Sequence, residues 1–575
     1  MGLNFAGKKM QAMYDALKDV WQELTAPGGA FEIEEINVRG APMRTYKAAP
    51  RHLGEVWAST LVHGDKPYLV FENEVITYAE AHDMVTALRC WFSDIGLTQG
   101  DRVAIAMRNF PEYMPCYWAT MASGLTVVGM NAWWVEDEMA YALEDSAPRV
   151  LICDEERLAR FSNIHERFPH LKVVTVRCDG FEGSTRLDTA LATQGTPQDV
   201  SIDPDDDACI FYTSGTTGRP KGAQQTHRGC VHNIMNMAFW GQCLAHTNHR
   251  VHGTPLPDPA TAPAPAALIT TPLFHVTANN CVAQGTTMGG GKLVHMYKWD
   301  AGDALALIER EKITSMSGVP VMSRELISHP DFPNRDTSSL LSLGGGGAQL
   351  QPDLVGKIDQ SVATARPGTG YGMTETCGII TSIGGDFFVD RPESCGPAMP
   401  SFEVQIVNSE GAVVTEGTGE LWVRGAPVIK GYLNRADATA ETITDGWLHT
   451  GDVARLDDDG FIYIVDRVKD MVLRGGENVY CSEVETVLFQ IDAIAECSVF
   501  GVPDDRLGEE VGAAIYLHPG ARSSADEIRA YCAGLMAKHK IPRYIWLLDN
   551  PLPRNANGKF LKRELRELLS PDDAI

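Results

Sequence analysis

The chain has 575 residues, 44% of them hydrophobic and 22% charged, an ordinary globular composition with room for three or four folding units. Its formal charge of −26 argues against nucleic acid as a partner, and any anionic ligand must meet local cations against an unfavourable overall field. No run reaches the roughly 18 apolar residues of a membrane helix, so no integral membrane contact is expected. The 13 cysteines are scattered, with no Cys-x-x-Cys pair. That pattern points to a reducing, cytoplasmic setting and away from a disulfide framework or a zinc site. The 16 histidines show no His-Glu-x-x-His spacing, and His249 and His252 read as solvated side chains in a polar loop. The first ten residues carry neither a cleavage signature nor a myristoylation motif, since position 6 is alanine.

In chain order, an amphipathic helix is predicted over 10–24, followed by a short β-rich piece. Residues 1–50 either pack on the body or form an interface such as that of a homodimer. Residues 68–71 and 75–78 resemble a hairpin, and 78–97 a helix. Strands over 102–107, 126–131, 149–153 and 172–177 alternate with helices, one of which, 111–124, has a proline near its first turn. This alternation implies a parallel sheet covered on both faces. Residues 208–212 read as a buried strand and 227–241 as a helix rich in Met, Ile, Phe and Trp. Residues 256–267, dense in Pro and Ala, read as an extended surface insertion. A strand over 267–274 ends at His275, and 292–365 repeat the β/α alternation. Past Gly378, residues 404–407, 413–414, 420–423 and 428–433 are short strands of barrel-like material, closed by 461–465. Asp466-Arg-Val-Lys-Asp470 is a charged joint, and a mixed α+β unit follows it. The expected fold is α/β: a large N-terminal domain, 1–467, of two βαβ-type sheets plus a distorted β-barrel, and a small α+β domain, 468–575.

Between the strand at 208–212 and the helix at 227 lie Thr213, Ser214, Gly215, Thr216, Thr217 and Gly218. Closely spaced N–H groups and hydroxyls there make a concavity suited to a polyphosphate, with glycines for close backbone approach. Lys221 adds a mobile cation and Pro220 stiffens the exit. A Walker A loop needs Gly-Lys-Ser/Thr opening a helix, whereas Lys221 precedes Gly222 and Ala223. The string Tyr212-Thr-Ser-Gly-Thr-Thr-Gly-Arg-Pro-Lys-Gly222 resembles the signature loop of the ANL superfamily of adenylate-forming enzymes. That superfamily comprises acyl- and aryl-CoA synthetases, peptide-synthetase adenylation domains and beetle luciferases.

Five further strings carry the resemblance, which spans about residues 50 to 570. In Tyr371-Gly-Met-Thr-Glu-Thr376, it implies that Tyr371 and Gly372 platform the adenine, Thr374 contacts phosphate and Glu375 is the Mg²⁺ ligand, a hard oxygen donor suited to that ion. In Trp447-Leu-His-Thr-Gly-Asp452, it implies that Asp452 holds the ribose with help from Arg467. Within 466–485, Gly475, Gly476 and Glu477 fall where CoA ligases line the pantetheine tunnel, and Lys469 falls at the family's hinge. There Ser482 and Glu485 read as a capping box for the next helix. In 551–560, Lys559 after Asn-Gly corresponds to the adenylation lysine, which reaches the α-phosphate and the substrate carboxylate. In 344–350, Gly346, Gly347 and Ala348 let adenine and acyl group pass close to backbone.

The resemblance implies ATP, Mg²⁺ and CoA as cofactors, with Lys559, Thr374, Glu375 and His275 as the catalytic group. The carboxylate attacks the α-phosphate, pyrophosphate leaves, and a thiol then attacks the acyl-adenylate. In that family the small domain rotates between the two steps. On the acid side, peptide-synthetase domains hold the amino group with an Asp, where Pro272-Leu-Phe-His-Val-Thr277 has His275, so an amino-acid substrate is disfavoured. The string is similar to that of the fatty acyl-CoA synthetases, but Asn279 stands where some long-chain enzymes have a gating Trp. Met235, Met237, Phe239 and Trp240 either line an apolar pocket or pack in the core. The expected activity is ligation of a hydrophobic carboxylate, a medium-chain fatty acid or a bulky alicyclic or aryl acid, to CoA. The alternative is loading of a carrier-protein thiol or another acceptor.

Overall fold

The computed structural model describes residues 2–213, 219–258, 261–347, 349–475, 477–554 and 560–575. Two compact units divide the chain: residues 1–403 with 424–448, and residues 404–423 with 449–575. The larger unit is built on two sheets, each of eight strands among the described residues. One runs, in spatial order, Gly431–Tyr432, Lys221–Thr226, Asp207–Thr213, Thr126–Gly129, Arg102–Ala106, Val150–Asp154, Lys172–Val176, Thr185–Arg186. From Asp207–Thr213 onward its strands are parallel, while Lys221–Thr226 pairs antiparallel on both sides.

The other runs Gly378–Gly384, Arg366–Met373, Ser342–Gly345, Ser315–Gly318, Ala266–Ile269, Lys292–His295, Pro67–Phe71, Glu74–Thr77. Its inner strands are parallel and the strand at each edge is antiparallel. Strands covered on both faces read as continuous apolar runs, and every residue of Val150–Asp154 is buried. Thr77 and Glu80 form a capping box that starts the helix Tyr78–Asp94. The helix Tyr113–Ala122 is apolar on all sides, and its residues from Tyr113 to Met121 are buried. The polar tips in this core are paired: Trp118 Nε1 donates to Tyr68 Oη at 2.9 Å, and Tyr78 Oη donates to the Gly291 carbonyl at 2.7 Å.

Several elements differ from the sequence expectation. The helix expected over 227–241 runs to His252, and His249 and His252 lie in its last turn, not in a loop. Nothing breaks the helix before Gly253, which closes it at φ 69°, and His249 Nδ1 sits 2.9 Å from the Thr254 carbonyl. The strand expected over 267–274 stops at Ile269, and Pro272 lies in the turn that follows. Of 428–433, Gly431–Tyr432 alone is strand, and it pairs with Lys221–Thr226, outside the barrel-like sheet. The Pro/Ala-rich insertion is exposed and irregular up to the strand at Ala266, with residues 259 and 260 outside the described residues.

The N-terminal helix Gly2–Thr25 and the hairpin Ile33–Val38/Ala41–Tyr46 belong to the larger unit. Phe239 is core there, meeting Trp21 edge-on at 4.7 Å and Phe31 at 5.5 Å.

The β-rich segment forms a sheet in the order Gly396–Pro397, Phe461–Arg467, Trp447–Leu456, Gly419–Gly425, Phe402–Val407, Val413–Val414, with Ile443–Thr444 beside Trp447–Leu456, and its strands are counted mainly with the second unit. The C-terminal sheet runs Glu477–Val479, Val472–Arg474, Gly508–Leu517, Ile494–Asp504, with Tyr544–Leu548 beside Gly508–Leu517. Its core includes Val472, Val484, Leu488, Val499, Ile515, Ile528 and Ile545. The capping box expected at Ser482 and Glu485 does not form. The helix Cys481–Leu488 starts after Tyr480 with no side-chain cap. Ser482 Oγ donates to the Val465 carbonyl instead, and Glu485 accepts from the Val499 N–H at 2.8 Å and pairs with Lys562 at 3.0 Å. Tertiary partners offer both side chains more than a local cap does. Among the described residues, no helix is long and apolar enough to cross a membrane.

Candidate active site

The strand Asp207–Thr213 carries a buried apolar stretch, 208–211, and returns as Lys221–Thr226 with Thr213 opposite Lys221. The chain therefore returns from Asp207–Thr213 on an antiparallel strand and not on the helix that follows a Walker A loop. Ser214, Gly215, Thr216, Thr217 and Gly218 lie outside the described residues. The rim is held: Tyr141 Oη donates to the Pro220 carbonyl at 3.1 Å, and the Arg219 guanidinium lies 4.9 Å from the Tyr141 ring centre.

The strand Arg366–Met373 carries Tyr371 and Gly372 and has a bulge between them, so its register against Gly378–Gly384 shifts just before the turn Thr374–Thr376. A Cβ on Gly372 would lie 1.9 Å from the Gly378 carbonyl oxygen, which is backbone and cannot swing away. Gly372→Ala is expected to cost about 1–3 kcal/mol or more by forcing this strand pair apart, read as a lowered thermal midpoint together with weaker ATP binding. An unchanged midpoint with normal ATP affinity would show that the pair adapts.

The hairpin and the turn meet. Thr374 and Glu375 are buried, and Glu375 Oε1 accepts from Tyr432 Oη at 2.7 Å. Lys221 Nζ lies 4.8 Å from the centre of the same Tyr432 ring. The register that sets Tyr432 opposite Ala223 places the ring between the loop's lysine and the glutamate. Burial, and then the Glu375 charge, push the Tyr432 phenol well above its ordinary range, so it stays a donor. Behind the turn, Gln225 Nε2 donates to the Thr374 carbonyl at 2.8 Å, and Asn280 Nδ2 donates to Gln225 Oε1 and to the Cys377 carbonyl, both at 2.9 Å. Asn233 Oδ1 accepts from the Ile379 N–H at 2.9 Å. Sequence reasoning missed Tyr432, Gln225, Asn280 and Asn233, which stand in no recognisable string and are brought in by tertiary packing.

Glu375 suits a Mg²⁺ ion, which is held by one or two carboxylates plus substrate phosphates and not by an all-protein cage. Among the described residues, no group of three His, Cys, Asp or Glu able to hold a metal occurs.

The strand Ser342–Gly345 leads into Gly346, whose N–H donates to the Gly318 carbonyl at 2.8 Å, and into Gly347 at φ 77°. Ala348 lies outside the described residues. A Cβ on Gly346 would find Thr277 Cγ2 at 3.7 Å, so the glycine run passes beside the segment that carries His275. His275 caps the short helix Val276–Ala278, its Nδ1 accepting from the Thr277 N–H at 3.3 Å and lying 3.1 Å from Thr277 Oγ1. Phe274 meets Trp133 edge-on at 5.4 Å.

In the second unit, Asp452 and Arg467 are paired across adjacent strands, with Arg467 Nε 3.2 Å from Asp452 Oδ1. Asp452 is buried, and its N–H donates to Thr450 Oγ1 at 3.1 Å. Lys469 is exposed in the turn after this strand. Burial pushes the neighbouring Asp466 carboxyl up to about 6, against the lowering effect of Lys562. Gly475, at φ 60°, begins the tight turn between Val472–Arg474 and Glu477–Val479, and Glu477 is exposed there. Gly476 and Lys559 lie outside the described residues.

Comparison with known proteins gives two family matches: the AMP-binding enzyme family over residues 56–433 and the AMP-binding enzyme C-terminal domain over 483–559. The chain is 34% identical to a feruloyl-CoA synthase of Amycolatopsis sp over 85% of this chain and 93% of that protein. It is 32% identical to a 3-[(3aS,4S,7aS)-7a-methyl-1,5-dioxo-octahydro-1H-inden-4-yl]propanoyl:CoA ligase of Rhodococcus jostii over 91% of this chain and 97% of that one. Among solved structures, the o-succinylbenzoate CoA synthetase of Bacillus subtilis in complex with its acyl-adenylate intermediate superposes with a TM-score of 0.75 at 27% identity. That match covers 90% of this chain and 98% of that one.

Proposed function

We propose, because the chain belongs to the AMP-binding enzyme family and within it to the AMP-forming acyl-CoA ligases, that it joins a hydrophobic monocarboxylic acid to CoA. The acid is a bulky aryl or alicyclic acid or a medium-chain fatty acid. The observation that carries this reading is the Lys221–Tyr432–Glu375 arrangement, which sets the phosphate-loop lysine, a phenol donor and a carboxylate beside Thr374.

A carboxylate must meet the α-phosphate, so catalysis rests on positioning and on neutralising charge. Lys221 and the 213–218 loop take the phosphates, with Thr374 as a further donor. A Mg²⁺ ion held through Glu375 would supply the remaining neutralisation. Tyr371, Gly372, Gly346, Gly347 and Ala348 take the adenine, and Asp452 with Arg467 takes the ribose. Lys559 acts on the α-phosphate and the acid. Gly475, Gly476 and Glu477 serve the CoA step, and a functional boundary near Lys469 separates residues 1–467 from 468–575. His275, beside the glycine run, stands on the acid side in place of the Asp an amino group needs. Two relatives are named for an aryl and a fused-ring propanoic acid, which favours acids of that bulk.

The test is a pyrophosphate-release screen of purified protein over straight-chain acids, aryl acids, alicyclic acids and free amino acids, followed by thioester assays. Release with the hydrophobic acids and thioester formed on CoA are expected. Strong turnover of a free amino acid with none of the others would overturn the acid assignment. Transfer to a carrier-protein phosphopantetheine but not to CoA would overturn the acceptor.

A further inference from the structure

A cavity of about 380 Å³ lies in the larger unit between the strands that carry the glycine motifs and three helices, Gly2–Thr25, His227–His252 and the short Asp386–Asp390. Gly344, Gly345, Gly368, Gly370 and Gly384 form part of its wall, and Trp240, Leu244 and Phe387 line it with them. Gly345 and Gly370 immediately precede Gly346 and Tyr371, so the cavity runs directly up to the residues assigned to the adenine. Missing side chains at Gly368 and Gly384 keep it open. A Cβ on Gly384 would have the Pro367 carbonyl at 3.6 Å and Leu244 Cδ1 at 3.7 Å, and one on Gly368 would have nothing nearer than 3.7 Å. Arg366, the cation among the lining residues, is held by Asp359 at 2.6 Å and by Asp386. The cavity thus offers no unpaired cation to a second carboxylate, which fits a monocarboxylic acid.

Met13 also lines this cavity, and it comes from the N-terminal helix, outside both family-matched segments. It is 1% exposed. The helix is fixed on either side of it. Tyr14 Oη donates to Asp390 Oδ2 at 2.7 Å, the Tyr14 ring lies 5.2 Å from that of Phe387, and Trp21 meets Phe239. An unbranched thioether at such a place is a compliant wall that fits ligands of varied outline.

We infer that Met13 is a specificity-determining residue: the cavity takes the hydrophobic body of the acid, and the N-terminal helix, through Met13, limits the bulk that fits. This deepens the acid–CoA ligase reading and rests on it. Met13→Ala enlarges the cavity and Met13→Trp fills it. Gly384→Ala narrows it from the strand side, at a position where an added methyl meets ordinary contact distances.

The experiment measures kcat/KM for acid-dependent pyrophosphate release with a graded series of straight-chain and ring-bearing acids, and KM for ATP beside it. One methylene in an apolar pocket is worth roughly 10–200-fold in discrimination. Met13→Ala is therefore expected to move the bulky-to-small ratio upward by about tenfold or more, with KM for ATP unmoved. Met13→Trp and Gly384→Ala are expected to move the ratio downward. Met13→Ala lowering every acid by one common factor marks a merely structural role and overturns the inference. So does a ratio that moves with Gly384→Ala and stays fixed with both Met13 variants. If the unaltered protein releases no pyrophosphate with any acid, the ligase reading falls and this inference with it; release with an unmoved ratio overturns this inference alone.

Discussion

Lys559→Ala is expected to lower acid-dependent pyrophosphate release by roughly 10²–10³-fold, the usual cost of losing one preorganised charge-stabilising group. It is expected to leave conversion of a supplied acyl-adenylate and CoA to thioester close to normal. The asymmetry follows from the chemistry. As the carboxylate attacks the α-phosphate, negative charge builds on the phosphoryl oxygens, and a cation there stabilises the transition state more than the ground state. Once the mixed anhydride exists, the activation is already stored in it, and thiol attack needs no cation at that position. Lys469→Pro is expected to do the reverse. Lys469 is exposed, so its side chain has little burial to lose, while proline fixes φ and removes the N–H at the turn after the Phe461–Arg467 strand. Adenylate should then form and accumulate without reaching CoA. The comparison needs the two purified variants, a synthetic adenylate and assays for pyrophosphate and thioester. Equal loss of both half-reactions in a folded Lys559→Ala protein would remove the division of labour on which this reading rests.

The two sheets were legible because their strands are covered on both faces. Val150-Leu-Ile-Cys-Asp154 reads as a continuous apolar run, and such runs survive any rearrangement of their neighbours. The family was legible because its motif strings assemble residue types that few other contexts bring together at that spacing. Local rules failed where a distant partner outbid them. Ser482 and Glu485 have the spacing of a capping box, yet Val465, Val499 and Lys562 claim their side chains. The helix at 227 outran its expected end at Gly241 because one internal glycine costs a helix only about 1 kcal/mol, and residues 242–252, polar enough to resemble a loop, hold no proline and no further glycine before Gly253. The site's supporting residues were hidden for a related reason. Gln225 to Thr374 spans 149 positions and Tyr432 to Glu375 spans 57, and neither partner announces itself locally. The cavity was half visible. Of the apolar cluster on that helix, Phe239 proved to be core and Trp240 a cavity wall. The partner that closes the cavity, Met13, lies more than two hundred residues earlier in the chain.

Glu375→Gln is expected to lower pyrophosphate release by roughly 10²-fold or more, and to do so through the metal and not through the fold. Glutamine keeps the shape and can still accept from Tyr432 Oη, which lies 2.7 Å from Oε1, so the buried hydroxyl is not orphaned. What is lost is the negative charge that a hard divalent cation requires. The matching observable is thermal. A ligand that binds the native state adds about 2.7 kcal/mol of stability at one hundred times its Kd, so ATP should raise the unfolding midpoint more with Mg²⁺ than without it. In Glu375→Gln that Mg²⁺-dependent increment should shrink toward the metal-free value. Tyr432→Phe separates the hydroxyl from the ring. The phenyl face stays beside Lys221, whose Nζ is 4.8 Å from the ring centre, while the hydrogen bond to a charged oxygen, worth about 1.5–3 kcal/mol, is removed. A smaller loss, of roughly 10–100-fold, is therefore expected, because the carboxylate remains but is no longer held in one orientation. The double variant should fall no further than Glu375→Gln alone, since the phenol acts only through the carboxylate. A Glu375→Gln protein that kept both its rate and its Mg²⁺-dependent stabilisation would show that the metal is held elsewhere, and the phenol would then be fixing the turn at Thr374–Thr376 and not a metal ligand.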